Sequence, residues 1–504
     1  MATLFSLVIL VIAIILLCKI AALAYGDYIT RKKISHIPGL TTLPFIGTLD
    51  LLRQTEKGRV DWLLSLMHKF KDGIFLLWMG PQPIIYIYKP DQFKAVLSST
   101  VLIEKSVHYN FYKEWLGTGI LLSSGKEWMQ FRKLFSPPFH FNMERFGVII
   151  SEKTEIMLKS LEKVITENQG KAIDIIPILD HFSMDVVCEI ILGINPQDVE
   201  FNYIDNIQRL LKLISIRINQ PWLWINWIFN LSHVGRKYNE TLRNVNEFSK
   251  DIIRNKQFTR TVLNDKSQDN DDETAAKTKR KAFLELLLDL NKNKNNLFTT
   301  EELRGHINSF VFATYDTTVT TLSWVLFCLG NNLEHQEKVH EELEDIFRDW
   351  QGPASPKQLS QLKYLDRVIK ESLRLYPTVP LIGRKVTDDI NLGGYAIPKD
   401  STIVLAIILL HRDPTIWPDP LKFDPDRFLP ENMIHPYAFV PFSAGPRNCL
   451  GQRLALLQEK IALTAVLRKW RIKSVETPAG ISIYDSTVLR PYQGIIRIHF
   501  SPKK

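Results

Sequence analysis

Polar positions are almost absent from the start of the chain. Ala2 to Cys18 carries no charge and is built almost entirely of Leu, Ile, Val, Ala and Phe. Lys19 interrupts the run, Ile20 to Gly26 is again mostly apolar, and Arg31-Lys32-Lys33 follows. About 20 apolar residues span a bilayer core as a helix, and a lysine near the end can snorkel to the interface. The pattern predicts a transmembrane signal anchor over residues 1–25. The downstream positive cluster places the rest of the chain in the cytosol. A cleaved leader is the rival, with Ala22-Leu23-Ala24 as its small-x-small site, but no Lys or Arg precedes the apolar run. A cytosolic body leaves the sequons Asn230-Leu231-Ser232 and Asn239-Glu240-Thr241 unglycosylated.

Residues 26–47 contain Ile37-Pro38-Gly39-Leu40 and Pro44-Phe45-Ile46-Gly47, which predict a stiff, non-helical connector. Beyond it, helical periodicity dominates from Val148 to Arg374. Strand-like runs occur at Ile74–Trp78, Ile84–Ile87, Arg471–Val475 and Ile495–Phe500. Asn264 to Lys281, rich in Asp, Asn, Lys and Thr, predicts an exposed loop between helices. The expectation is a mainly α body with small β-sheets, residues 48–504, behind an anchor and a connector.

Composition changes this picture little. The 504 residues are 45% hydrophobic and 23% charged, which excludes a disordered or collagen-like chain. The net charge of +9 favours an acidic partner or surface. Four widely spaced cysteines, Cys18, Cys188, Cys328 and Cys449, do not form a dense disulfide framework and fit a reducing compartment.

One cysteine has a chemical setting. In Pro441-Phe442-Ser443-Ala444-Gly445-Pro446-Arg447-Asn448-Cys449-Leu450-Gly451-Gln452-Arg453, a Gly-Pro turn precedes an amphipathic helix predicted over Leu454–Trp470. A thiol at a helix N-terminus, with Arg447 two residues before it, is favoured as thiolate for metal ligation, redox exchange or nucleophilic attack. No second cysteine or nearby histidine completes a zinc set, and no Cys-x-x-Cys exists. A single thiolate on a haem iron remains open.

Phe442-x-x-Gly445-x-Arg447-x-Cys449-x-Gly451 resembles the haem-binding loop of the cytochrome P-450 superfamily. The resemblance implies a single haem-centred domain with Cys449 as proximal ligand of haem b and Arg447 on a propionate. Gly445 and Gly451 would let backbone approach the porphyrin and sulfur, and Phe442 would be a haem-binding residue with them. Glu371-Ser372-Leu373-Arg374 is similar to the family's Glu-x-x-Arg pair, closed by Arg427 of Pro425-Asp426-Arg427-Phe428, with a role in fold and haem retention. Gly125-x-x-Trp128-x-x-x-Arg132 resembles the helix over one haem edge, implying propionate donors at Trp128 and Arg132, with Arg384 as a further contact.

Glu301 to Leu329 predicts one long helix with Ala313-Thr314-Tyr315-Asp316-Thr317-Thr318 at its middle. Threonine hydroxyls can bond the preceding turn and open the ladder locally. This run is similar to the family's acid–alcohol pair, so Asp316 and Thr317 are the expected proton-delivering residues. His306 to Thr318 with Arg280-Lys281-Ala282-Phe283-Leu284 looks like the fourth P-450 family, fatty-acid ω-hydroxylases and their invertebrate relatives. Ala313 stands where many members carry a haem-esterified glutamate, and Thr314 where the family has glycine.

The resemblance implies a monooxygenase of the endoplasmic reticulum membrane, acting on an apolar fatty acid, terpenoid, sterol or xenobiotic. Electrons would come from NADPH through a P-450 reductase, with cytochrome b5 a further candidate donor, since the chain has no dinucleotide fingerprint of its own. Lys133, Arg453 and Lys460 are the expected docking cations. No nucleic-acid partner is expected. Trp222, Trp224 and Trp227 crowd a segment that reads as core aromatics or as a loop dipping into lipid. Substrate contacts are expected in Val101–Thr118, Pro377–Arg384 and Asp485–Leu489. Two rivals stand beside this reading. One is a haem-thiolate isomerase or dehydratase that needs no external electrons, against which Asp316-Thr317 argues. The other is a non-catalytic haem sensor or lipid-binding protein, which the Thr314 substitution favours.

Overall fold

The computed structural model describes residues 2–198, 202–266, 281–293, 297–348, 350, 352–432 and 435–503, with some side chains of the first helix and of residues 260–266 excepted. Most of the predicted loop Asn264–Lys281 lies outside the described residues; its first three residues end the helix His233–Lys266.

The body is mainly helical. Its centre is the helix Thr300–Asn331, two residues from the sequence expectation at its far end. A capping box starts it: the Thr299 hydroxyl accepts from Glu302 N (3.2 Å) while Thr299 N donates to the Glu302 carboxylate (2.7 Å). Apolar residues on every side bury the helix along most of its length. Ile176–Val187 packs along it, Gly125–Phe141 and Met143–Glu167 lie beyond, and Gln452–Lys469 and Lys363–Leu375 pack against its second half. The main hydrophobic core runs through this layer of helices.

Among the described residues, thirteen short strands form the minor part. Β-strands β1 (Thr42–Leu43), β2 (Gly47–Thr48), β3 (Ile74–Met79), β4 (Gln82–Ile87), β6 (Leu381–Lys385) and β9 (Thr402–Ala406) make one sheet in the order β1-β2-β3-β4-β9-β6. Its second core packs Ile74, Leu76, Ile85, Ile87, Ile403 and Leu405 on one face. β10 (Trp470–Ser474), β13 (Arg497–Pro502) and β5 (Ile173–Asp174) form a second sheet. The hairpins β7–β8 (Ile390–Leu392, Tyr395–Ile397) and β11–β12 (Ile483–Asp485, Leu489–Pro491) stand apart. All four predicted strand runs fall on strands, with ends shifted by one or two residues. The cysteine-proximal helix stops at Lys469 because Trp470 enters β10, paired with Pro502.

Two expectations change. The connector does not run free: Leu76 N donates to Pro38 O (2.8 Å), Gly39 bridges Leu76, and β1–β2 extends the large sheet. Its Pro and Gly residues thus form an edge of the body. The amino-terminal segment is helical, Ala2–Ile34, but among the described residues no helix is long and apolar enough to cross a membrane, so the transmembrane assignment is not supported there.

Candidate haem site

The cysteine loop is set by backbone geometry. Cys449 N donates to Phe442 O (2.9 Å) and Asn448 N to Gly445 O (3.2 Å), closing the turn before the helix Gln452–Lys469. Gly445 has φ +69°, and a Cβ there would strike the Leu97 carbonyl, so the turn needs glycine. Gly451 sits at the N-cap, where a side chain would meet nothing within 4 Å. Space, not φ, is what glycine leaves at that position. Phe442 is half-buried against the main core. The Cys449 thiol is accessible, in contrast to Cys188 and Cys328, which are buried and pushed up to about 12. Surrounding protein also raises Cys449, while the Gly451 N–H and Arg132 pull the other way.

Around this loop the structure collects cations. Arg132 clamps Asn448 through its carbonyl (2.9 Å) and its side-chain oxygen (2.6 Å), tying the helix Gly125–Phe141 to the residue before the cysteine. Arg447 donates to the carbonyls of Ile103 (2.9 Å) and Ser123 and lies 4.7 Å from the Trp128 ring centroid. Arg384 is buried on β6, opposite Lys105 in an isolated bridge. Burial and then Arg384 push Arg447 down to about 9; burial, Arg384 and Arg447 hold Lys105 well below the usual lysine range. Among the described residues no carboxylate forms an ion pair with Lys105, Arg132, Arg384 or Arg447. Arg384 is buried and the other three are half-buried; enclosed cations without counter-ions are costly, so this cluster fits a ligand with two carboxylates. The sequence reading named three of the four. Lys105 was missed because a lone lysine in Ile103-Glu104-Lys105 has no motif around it.

The central helix supplies the facing surface. Between Leu303 and Gly330 every residue is buried except Ala313, Thr314 and Thr317, at i, i+1 and i+4 on one side. An uncovered stripe in a helix buried on every other side marks a groove. Hydroxyls of Thr317, Thr318, Thr320 and Thr321 donate to the carbonyls four residues back at 2.7, 2.9, 2.8 and 2.9 Å. The helix nevertheless continues unbroken, so the expected local opening does not occur. The expected acid–alcohol pair is split: Thr317 borders the groove, whereas Asp316 is wholly buried and ion-paired with Arg490 of β12. Burial raises the Asp316 carboxyl and Arg490 opposes that. Arg490, near the chain end in a short strand, carried no signal in the sequence.

The supporting ion pair is complete. Glu371 and Arg374 are both wholly buried, joined at 2.7 and 2.8 Å, with Glu371 also accepting from Asp424 N (2.9 Å). Arg427 Nε lies 3.5 Å from Glu371 and its Nη2 donates to Asp419 O (3.0 Å). Of the expected docking cations, Lys133 and Arg453 are exposed, while Lys460 is bonded to Asp366 at 2.8 Å. The tryptophans divide: Trp222 and Trp227 are exposed, but Trp224 turns in, bonding Ile218 O (3.0 Å) and packing on Phe111 and His108. The start of the expected substrate segment is fastened too, since Arg304 and Asn308 hold Trp115 O at 2.8 and 3.0 Å.

The family model "Cytochrome P450" matches residues 37–497. The chain is similar to cytochrome P450 4V2 of Rattus norvegicus, 36% identical over 90% of this chain and 87% of the rat protein. Cytochrome P450 4c21 of Blattella germanica is 38% identical over 90% of each chain. Cytochrome P450 4c3 of Drosophila melanogaster is 32% identical over 94% of this chain and 90% of the fly protein. Among solved structures, the haem domain of cytochrome P450DA superposes with a TM-score of 0.76 at 21% identity, covering 93% of this chain and 98% of that one, a likeness of fold. A thiol-bearing loop, a cluster of cations without counter-ions, an uncovered helix stripe and full-length relatives agree: the chain belongs to the cytochrome P450 superfamily, family 4 type, and is a haem-thiolate monooxygenase.

Proposed function

We propose that this protein is a membrane-bound monooxygenase that places one oxygen atom from O2 into an apolar substrate of the fatty-acid class, with electrons drawn from NADPH through a reductase. The observation that carries this reading is the stripe Ala313, Thr314 and Thr317, the uncovered part of an otherwise buried helix. Cys449 is the iron ligand, and Lys105, Arg132, Arg384 and Arg447 hold the propionates. A thiolate-bound haem, when present, supplies O2 activation and favours O–O cleavage. The chain's part is to exclude water with apolar walls and to move protons at the Thr317 hydroxyl. Ala313 offers no carboxylate for a covalent haem ester. Thr314 narrows the groove where glycine would leave it open.

The purified chain, loaded with haem and screened against fatty acids, terpenoids and sterols, is expected to give a low-to-high-spin shift with a medium-chain fatty acid. It should then consume O2 with NADPH and reductase to yield a hydroxylated product. A shift with sterols alone would overturn the substrate class, and product formed without NADPH would favour the isomerase or dehydratase chemistry.

Membrane attachment is proposed through the helix Ala2–Ile34, which exposes Leu4, Phe5, Leu7, Leu10, Val11, Ile14, Ile15 and Leu17, placing the body on the cytosolic side of the endoplasmic reticulum. A second patch supports it. Trp222, Ile225, Trp227 and Leu231 are exposed, as are Leu43, Phe45 and Ile46 of the β1–β2 hairpin. The two meet at Gly80, where an added Cβ would lie 3.4 Å from Pro221 and 3.5 Å from Phe45 O. Clustered apolar residues on a surface mark a membrane or partner face. A spin label in place of Trp227 on vesicle-bound protein is expected to be reached by lipid-phase quenchers, while one in place of Trp224 stays shielded. Equal protection of both would remove the patch from the membrane.

A further inference from the structure

Three helices turn faces toward one another without closing the space between them. Ser151, Thr154 and Leu158 lie at i, i+3 and i+7 on the helix Met143–Glu167. Ile461, Thr464 and Arg468 repeat that spacing on Gln452–Lys469, with Ala465 beside them. Leu343 and Phe347 face both from the helix Leu333–Phe347. They line a partly open cavity of about 230 Å³. Close-packed interiors leave few voids larger than one water, and an apolar cavity of about 150 Å³ already takes benzene. The cavity is separate from the haem site: about 18 Å of helix lies between Gln452, beside the cysteine loop, and Thr464.

Leu158, Leu343, Phe347 and Ile461 are buried and make the floor apolar. Around it the cations Arg348, Arg468, Lys469 and Lys503 outnumber the acids Glu155 and Glu344. Lys503 is paired with Glu344 (3.1 Å), and Lys469 is engaged by Glu162 (2.7 Å), which is not part of the lining. Arg468 stands differently. It is half-buried, 4.7 Å from the Phe347 ring centroid, and donates to the carbonyls of Gly352 (3.1 Å) and Trp350. Among the described residues no carboxylate forms an ion pair with it; the nearby acid, Glu155, is exposed and lies beyond ion-pair distance. An enclosed guanidinium without a counter-ion, over an apolar floor, suits a carboxylate carried on an apolar body. Thr464 is a second unmet group. The Ser151 and Thr154 hydroxyls donate to carbonyls four residues back at 2.8 and 2.7 Å, but Thr464 Oγ1 is buried with no partner. Buried hydroxyls are seldom left in that state.

We propose that this cavity is a second ligand site, for a small carboxylic acid with an apolar body. The carboxylate pairs with Arg468, and the body lies against Leu158, Leu343 and Ile461. The volume admits a body of about the size of naphthalene, larger than benzene by one fused ring. The small side chains Ser151 and Ala465 leave the room; a leucine at either position would fill it. The site stands apart from the monooxygenase groove and from the substrate proposed for it.

The test titrates the full haem-loaded chain by calorimetry with naphthoate and with its neutral isostere naphthamide. Naphthoate is expected to bind saturably with a Kd below about 1 mM, and naphthamide about 10-fold more weakly, as loss of a charged hydrogen bond requires. Arg468→Gln should weaken naphthoate about 10-fold and leave naphthamide unchanged, whereas Arg468→Lys keeps part of the preference. Ala465→Leu should abolish binding of both. Ser151→Leu fills the space from another helix and decides the matter where Ala465→Leu does not fold. Haem absorbance separates the two places, because a ligand in the haem groove shifts the spin state while one in this cavity leaves it unchanged. Naphthoate binding that shifts the spin state and survives both leucine variants would overturn the proposal. So would the absence of saturable binding, or an equal loss of naphthoate and naphthamide in Arg468→Gln.

Discussion

Replacing Cys449 with serine is expected to abolish the thiolate-type spectrum of the reduced carbonyl complex. Turnover should fall by about a thousandfold or more, equivalent to about 4 kcal/mol of barrier. The size follows from what the sulfur does. A hydroxyl in its place is a poor anion at neutral pH, so the electron push that favours O–O cleavage is lost together with the ligand. Accessibility removes two of the other three cysteines. Cys188 and Cys328 have 0% and 2% of their surface exposed and thiols at about 12, which makes them inert packing residues. Cys18 lies in the amino-terminal helix. Cys188→Ala and Cys328→Ala should therefore cost only stability, about 1–2 kcal/mol each, and keep the spectrum. Retention of the thiolate-type spectrum by Cys449→Ser would remove the ligand assignment.

What the chain reveals before folding depends on how locally each feature is specified. The cysteine loop is readable because turn, cation, thiol and helix start lie within a dozen residues, and each obeys a local rule. The central helix is readable because its apolar content and its cap are continuous in sequence. The surroundings of Asp316 were not readable for the opposite reason. Its neighbour in sequence is Thr317, but its partner in space is Arg490, 174 residues away, and only tertiary packing turns the carboxylate inward. Lys105 was missed on the same ground, since its chemical meaning comes from Arg384 and Arg447 beside it. The connector's Pro and Gly residues announced a stiff segment without saying that β3 would accept it as an edge. Trp222, Trp224 and Trp227 look alike as letters; the 3-10 turn Pro221–Trp224 separates the first two, and Trp227 sits on the exposed side of the helix Asn226–Leu231 that follows.

The second large effect is expected at Arg374, where even a conservative change should fail. Its guanidinium has five N–H donors and all five are used. Nε and Nη2 meet the two Glu371 oxygens, Nη1 reaches the carbonyls of His411 and Pro420 (2.8 Å each), and Nη2 reaches Lys422 O (3.2 Å). One side chain thus fastens the helix Lys363–Leu375 to the segment 411–424 that leads toward the cysteine loop. Glu371 adds the Asp424 N–H from the other side. Removing one partner of a buried ion pair costs about 3–5 kcal/mol because the remaining charge has no solvent. That is a large share of a typical stability of 5–15 kcal/mol. Arg374→Lys keeps the charge but offers a single point donor, which cannot serve a bidentate carboxylate and three diverging carbonyls. Arg374→Ala, Glu371→Ala and Arg374→Lys are all expected to show early haem loss on warming and faster proteolysis within 411–427. Replacing both partners with apolar residues should not restore stability, because three carbonyls and one N–H would stay buried without partners. Haem retention in Arg374→Lys equal to the wild type would show that the segment is held by Arg427 and its other contacts instead.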